Sequence, residues 1–370
     1  MWSKEVAKRE IVRRLGASRK IRRDPQFSAD LIAPLLDADM DRYLSRYAKF
    51  APRRFRAYVD EVLVIRGHLG DPIQAMADAL SPNARVITVT PEYALAMHLT
   101  ARAVDEVTPQ VRVLLAQRLK MIDPLVPPRE ALGTLRPLVD ALASDVVCGP
   151  RLDVLIKALA DLRMEPATSF SRLEVLRSEY PGGQAAYLEQ AGIHFTLGHE
   201  LGHHLLNHGW NNPNDNHAPG THELNVWLES LGIQVPSGRR RAHAREHQAD
   251  AMAVFLGTTL KNDVSAVEST RDGRLTCAGA FLTTLTMWLV KEKVEVDDIL
   301  SPDTHPRILQ RNLFLMDLLI HAFSPLGEKI ESYPGLDRVP DNRPTGYSIQ
   351  IWACCQVIAH LLDTQSQGTV

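Results

Sequence analysis

Long apolar runs, secretion signals and paired cysteines are all scarce in this 370-residue chain, and each absence removes a class of function. The longest apolar stretch, Leu275 to Val290, runs 16 residues and holds four threonines. That is too short and too polar to span a bilayer. The first residues carry charge where a signal peptide would place its apolar block, so no secretory leader is expected. Cysteine is limited to Cys148, Cys277, Cys354 and Cys355, without a CxxC pair, which excludes a disulfide scaffold. A reducing, cytoplasmic setting is expected, with Cys354–Cys355 inside an apolar helix. Charge of one sign is missing too: 42 Lys+Arg stand against 44 Asp+Glu. The chain as a whole therefore needs no polyelectrolyte partner.

What is present is the mixture of an ordinary globular protein, 45% hydrophobic and 23% charged, at a length that allows two or three domains. Charge is nevertheless unevenly placed. Residues 1–23 hold nine Lys/Arg and two acids, a +7 segment against a remainder of −9. Such an arm is a solvated helix, or it meets an acidic partner, nucleic acid or the protein's own acidic face.

Beyond Ser28 the periodicity is mostly helical, with Leu31, Leu35 and Leu36, then Leu95, Leu99 and Val104, at helix spacing. Short strands are expected at 58–65, 85–90 and 173–176, where β-branched and large apolar residues cluster. Breakers lie at Pro124, Pro127 and Pro128, at 180–183, and across 333–346 before a last apolar helix, 347–362. No internal repeat is evident.

The chemistry concentrates in one window, since nine of the fourteen histidines lie between His194 and His247. Within it, His199-Glu200-Leu201-Gly202-His203 is an HExxH motif. Four residues advance a helix by about 400°, so His199 and His203 project from one face, a turn apart, and can grip one ion. Leu197, Leu201 and Leu205 lie roughly opposite, ready to enter a core. Glu200 falls on the flank, placed to take a proton from metal-bound water rather than to bind the metal. Tetrahedral zinc then needs a third protein ligand and leaves a position for water. The extended HExxHxxGxxH pattern does not supply it: positions 206 and 209 are Leu206 and Gly209, and His208 is off register. Glu246 is the better candidate, on a helix expected over 240–260, with Asp250 one turn further on the same face. There Asp250 would orient a ligating imidazole.

This set, HExxH followed by Glu246-xxx-Asp250, resembles the gluzincin arrangement of zinc peptidases. Phe195 to His203 with Leu205 and Leu206 resembles the ImmA/IrrE-type peptidases, soluble proteins acting on transcriptional repressors. Glu246 to Ala253 resembles the heat-shock and CAAX-prenyl zinc peptidases, as does Thr304-His305-Pro306 followed by Arg307 or Arg311. In that family the histidine and arginine approach the substrate carbonyl, which would make His305 a catalytic residue. The resemblance covers about residues 184–311 and leaves both families open.

It implies a mainly α fold (α+β) with a zincin-like metallopeptidase core and a small sheet, binding one Zn²⁺ per chain through His199, His203 and Glu246. Four segments are expected in order: a basic arm, 1–27; a mostly helical domain, 28–165; the metallopeptidase domain, 166–332; and a linker with a C-terminal helix, 333–370. The expected activity is selective or regulated intracellular proteolysis with Glu200 as general base, in a stress, regulatory or phage-defence role. The expected partners are a protein or peptide substrate and an activating factor. The alternative is a non-catalytic, zinc-stapled regulator whose arm binds a protein or nucleic acid.

Overall fold

The computed structural model describes residues 2–14, 36, 38–67, 74–119, 141–164, 169–170, 173, 175–176, 183–208, 218–236, 241–259, 266–296, 308–323 and 344–367. It is mainly helical, with one small sheet. Helices are α1 (Lys4–Arg14), α2 (Ala38–Phe50), α3 (Arg53–Val59), α4 (Pro91–Leu119), α5 (Pro150–Met164) and α6 (Gln184–Leu205). They continue with α7 (Thr221–Ser230), α8 (Arg241–Thr259), α9 (Ala266–Val296), α10 (Ile308–Phe323) and α11 (Pro344–Gln367). Strands are β1 (Leu63–Arg66), β2 (Ala75–Ser81) and β3 (Ala84–Val89), in the order β1-β3-β2. Among the described residues, no helix is long and apolar enough to cross a membrane.

Two compact units interleave along the chain, one built from 1–94 and 196–264, the other from 95–195 and 265–370. They do not follow the consecutive segments read from the sequence.

In the first unit the sheet is the organising layer. β1 runs parallel to β3, and β2 runs antiparallel to it from Ala75↔Val89 to Ser81↔Ala84. Pro82 and Asn83 make the β2–β3 connection, proline presetting the backbone for a tight turn, and a register shift between Ala79 and Ser81 adjusts the pairing. The basic segment supplies α1, which buries Ala7, Ile11 and Val12, with Ala7 and Ile11 packed against Leu63, Ala84 and Val86 of the sheet region. Its charges meet the unit's own acids, Lys4 Nζ lying 3.1 Å from Asp41 and Arg14 Nη1 3.4 Å from Asp78. Residues 15–27 of the expected arm lie outside the described residues. Phe255 of α8 packs edge-on to Phe55 of α3, with Trp227 of α7 on it as well.

The second unit is all helix in its described residues. In α9, Leu275 to Met287 is buried around the whole circumference, as expected of a helix enclosed by others. It packs with α10, α11 and α5. Thr283 and Thr284 satisfy their hydroxyls inside, on Gly192 O (3.0 Å) and Asn312 Oδ1 (2.7 Å). These are the threonines that made the longest apolar run too polar for lipid.

Several sequence expectations shift here. The stretch 58–65 divides, since α3 continues to Val59 and the strand starts at Leu63. Leu173, Val175 and Leu176 are helical rather than extended. Cys354 and Cys355 are buried in α11, where burial pushes the Cys354 thiol up to about 12 and the Cys355 thiol well above its ordinary value. Native protein should therefore expose one reactive thiol, Cys148, to a dithionitrobenzoate assay, with the other three reacting only on unfolding. Fast modification of two or more thiols in native protein would contradict the packing of α9 and α11.

Candidate metal centre

The HExxH helix is α6 and the Glu246 helix is α8, and the first unit brings these two segments into close contact. A Cβ built on Gly202 would lie 2.9 Å from the carbonyl oxygen of Ala249 and 3.1 Å from its Cα, tighter than side chains tolerate. Only glycine permits that approach. Ala249, Ala251 and Ala253 are fully buried on α8, as helices at this distance require.

The approach converges three side chains that could hold a metal ion, His199, His203 and Glu246. His199 Nε2 and His203 Nε2 are 3.1 Å apart, and Glu246 carboxylate oxygens lie 3.4 and 3.5 Å from them. Zinc bonded at about 2.0–2.1 Å in a tetrahedron separates its ligands by about 3.3–3.4 Å. The triangle fits. The donor chemistry fits as well, because each ring's other nitrogen is already engaged. His199 Nδ1 lies 2.8 Å from Asp250 Oδ1, a carboxylate with no solvent exposure. A carboxylate acceptor keeps the proton on Nδ1 and aims the bare Nε2 at the ligand triangle.

Glu200 stands beside this triangle and outside it. The residue is 4% exposed, and its Oε2 accepts a 2.7 Å hydrogen bond from the Ala77 amide on β2. β2 is an edge strand of the three-stranded sheet. Because Thr90 N–H bonds to Gln74 O just before β2, antiparallel alternation turns the main chain of Ala75, Ala77 and Ala79 away from β3.

α6 is tied to the sheet by His204, whose Nε2–H donates to Val86 O at 2.9 Å. Burial, aided by the Arg85 charge, pulls its pKa down to about 3, against the pull of the Val86 carbonyl. The ring stays neutral. Trp2 packs edge-on to it, and the buried Arg85 stacks 5.3 Å from the Trp2 ring and reaches Asn207 Oδ1.

Each sequence candidate can now be located. His199, Glu200, His203, Glu246 and Asp250 come together. His305 and His217 lie outside the described residues, and His222 is exposed on α7. Arg311 is buried in the second unit with Nη1 3.2 Å from Met287 Sδ. Sequence reasoning missed Ala77, His208 and Gln248. His208 sits behind His203, Nδ1 to Nδ1 at 2.9 Å, while its Nε2 lies 3.1 Å from Gln248 Oε1. Burial, then the Arg245 charge, lower its pKa to about 4.

No family model, curated protein or solved structure matches this chain. Its chemistry must be argued from its own residues.

Because Gly202 sets the distance between α6 and α8, Gly202→Val should cost about 1–3 kcal/mol of stability through overpacking. It should also weaken divalent-metal binding by parting Glu246 from the two imidazoles. Urea denaturation and metal titration test the two effects separately. Unchanged metal affinity in a destabilised variant would mean that the ligand triangle does not depend on this spacing.

Proposed function

We propose that the chain is a zinc-dependent metalloendopeptidase of gluzincin type, holding one Zn²⁺ through His199, His203 and Glu246. The observation that carries this reading is the 3.1–3.5 Å triangle of imidazole Nε2 atoms and carboxylate oxygens, with Glu200 beside it. Zinc bound there supplies Lewis-acid chemistry, lowering the pKa of a coordinated water and polarising a peptide carbonyl.

Glu200 acts as the general base and then returns the proton to the leaving amine. The Ala77 amide steadies its carboxylate through Oε2. Asp250 holds the His199 ring and its proton in place. The position of the HExxH helix beside an edge strand supports a zincin-like core. An extended peptide laid along β2 would pass Glu200 with its backbone aligned to the outward main chain of Ala75 and Ala79, the Ala77 amide being held by Glu200. That geometry favours a peptide substrate over a small amide.

Purified protein is expected to hold about one zinc per chain, as a mononuclear site does. His199→Ala, His203→Ala and Glu246→Ala should each lose most of it. Elemental analysis finding full zinc in Glu246→Ala would remove the third ligand from the reading. Asp250→Ala should weaken affinity by about 10–100-fold without abolishing it.

Glu200→Gln is expected to keep both zinc and fold while losing peptide cleavage by several orders of magnitude. Proteome-wide comparison of new N-termini after inducing the wild type or this variant reads the effect and reveals the substrate. Equal cleavage by both would take Glu200 out of the mechanism.

A further inference from the structure

The end of α6 brings one more imidazole to the outer side of the ligand set. Asn207 has a φ of 57°, in the left-handed region. The Asn207 and His208 amides fold back onto the carbonyls of His204 at 3.0 Å and His203 at 2.9 Å. These are the two hydrogen bonds of a Schellman motif, with Asn207 at C′ and His208 at C″. The motif carries the C″ side chain onto the residue at C3, and that residue is His203. Where most helices pair two apolar groups, this one pairs two imidazoles, 5.0 Å between ring centroids.

The proton positions follow from the acceptor at the far end. Gln248 Oε1 can only accept, so His208 Nε2 carries a hydrogen and donates across 3.1 Å. The Nδ1 of a neutral His208 is then bare, and across 2.9 Å it can only accept from His203 Nδ1–H. That assignment leaves His203 Nε2 bare, 3.1 Å from His199 Nε2 and facing Glu246. Gln248 is well placed for this task, lying on α8 between Glu246 and Asp250.

We propose that His208 and Gln248 are positioning residues: through a neutral His203–His208–Gln248 relay they fix the ring orientation and proton position of His203 for metal binding. The proposal rests on the zinc reading above. The two histidines are thus set by different means, His199 by the buried carboxylate of Asp250 and His203 by uncharged groups. Charge explains the division. Glu246, Asp250 and the general base Glu200 already set three negative charges against one divalent ion, and a further buried carboxylate behind His203 would add a fourth.

The test reads the His203 tautomer in metal-free protein by imidazole ¹⁵N NMR, and zinc affinity by competition with a chelator. Wild type should show His203 protonated on Nδ1. His208→Phe and Gln248→Leu should each lose the fixed tautomer and weaken zinc binding by about 10–100-fold. His208→Asn, whose amide oxygen can accept from His203, should recover most of both. Circular dichroism checks the fold, and if His208→Phe does not fold, Gln248→Leu decides the matter. A folded variant with wild-type tautomer and wild-type affinity would overturn the relay, as would wild-type His203 protonated on Nε2. If wild type takes up no zinc while the variants still lose the tautomer, the relay stands and the zinc reading falls.

Discussion

The site depends on how closely two helix backbones approach. α6 contributes His199, Glu200 and His203, and α8 contributes Glu246 and Asp250. A triangle a little over 3 Å on a side cannot form from His and Glu side chains on two helices unless the helix backbones approach closely. Gly202 against Ala249 provides that approach, and the buried alanines of α8 extend it along the contact. The long side chains at the same level can then meet without strain. Packing comes first here, and coordination geometry is its consequence.

That packing also concentrates polar groups that would be costly one at a time. Glu200, His199 and Asp250 are all buried within about one turn of each other's elements. A buried carboxylate without a partner destabilises a fold by several kcal/mol. Two of them have named donors at the site: Asp250 takes the His199 ring and Glu200 takes the Ala77 amide. Glu246 is the exception in kind. Its oxygens face the Nε2 atoms of two imidazoles, and the three side chains together could hold a metal ion.

The legible part of the sequence was the part governed by helix periodicity. The i, i+4 spacing of His199 and His203, and again of Glu246 and Asp250, was enough to place four side chains on two faces. β3 and the last helix were readable for similar reasons, as a β-branched run and an apolar run. β2 was not, because Ala75 to Ser81 is alanine-rich and has helix-forming composition. It is a strand through its pairing with β3, a non-local cause that local propensity cannot report. α1 was obscured differently, its five Lys/Arg among eleven residues masking the stripe of Ala7, Ile11 and Val12 that is buried. His208 was set aside as a ligand on register. Its contact with His203 arises from a left-handed residue at the helix end, which a linear spacing rule does not represent.

Along its last two turns α6 uses every face for a separate purpose. Positions 198 and 202 are glycines, and they present bare backbone to the Tyr47 side chain of α2 and to Ala249 of α8. Positions 199 and 203 face the ligand triangle. Positions 200 and 204 both reach the sheet, Glu200 to the Ala77 amide of β2 and His204 to the Val86 carbonyl of β3. Positions 197, 201 and 205 are leucines buried completely. Successive residues are about 100° apart, so these four rows point in four directions and cannot exchange roles by a small rotation. Turning the helix to bring Glu200 toward the triangle would pull His204 off Val86 and drive Leu201 toward the sheet. The rotational setting of α6 is thus fixed by the sheet and the core rather than by any metal. The two imidazoles are held one turn apart by the fold itself, so a metal ion binding there would meet little ordering cost.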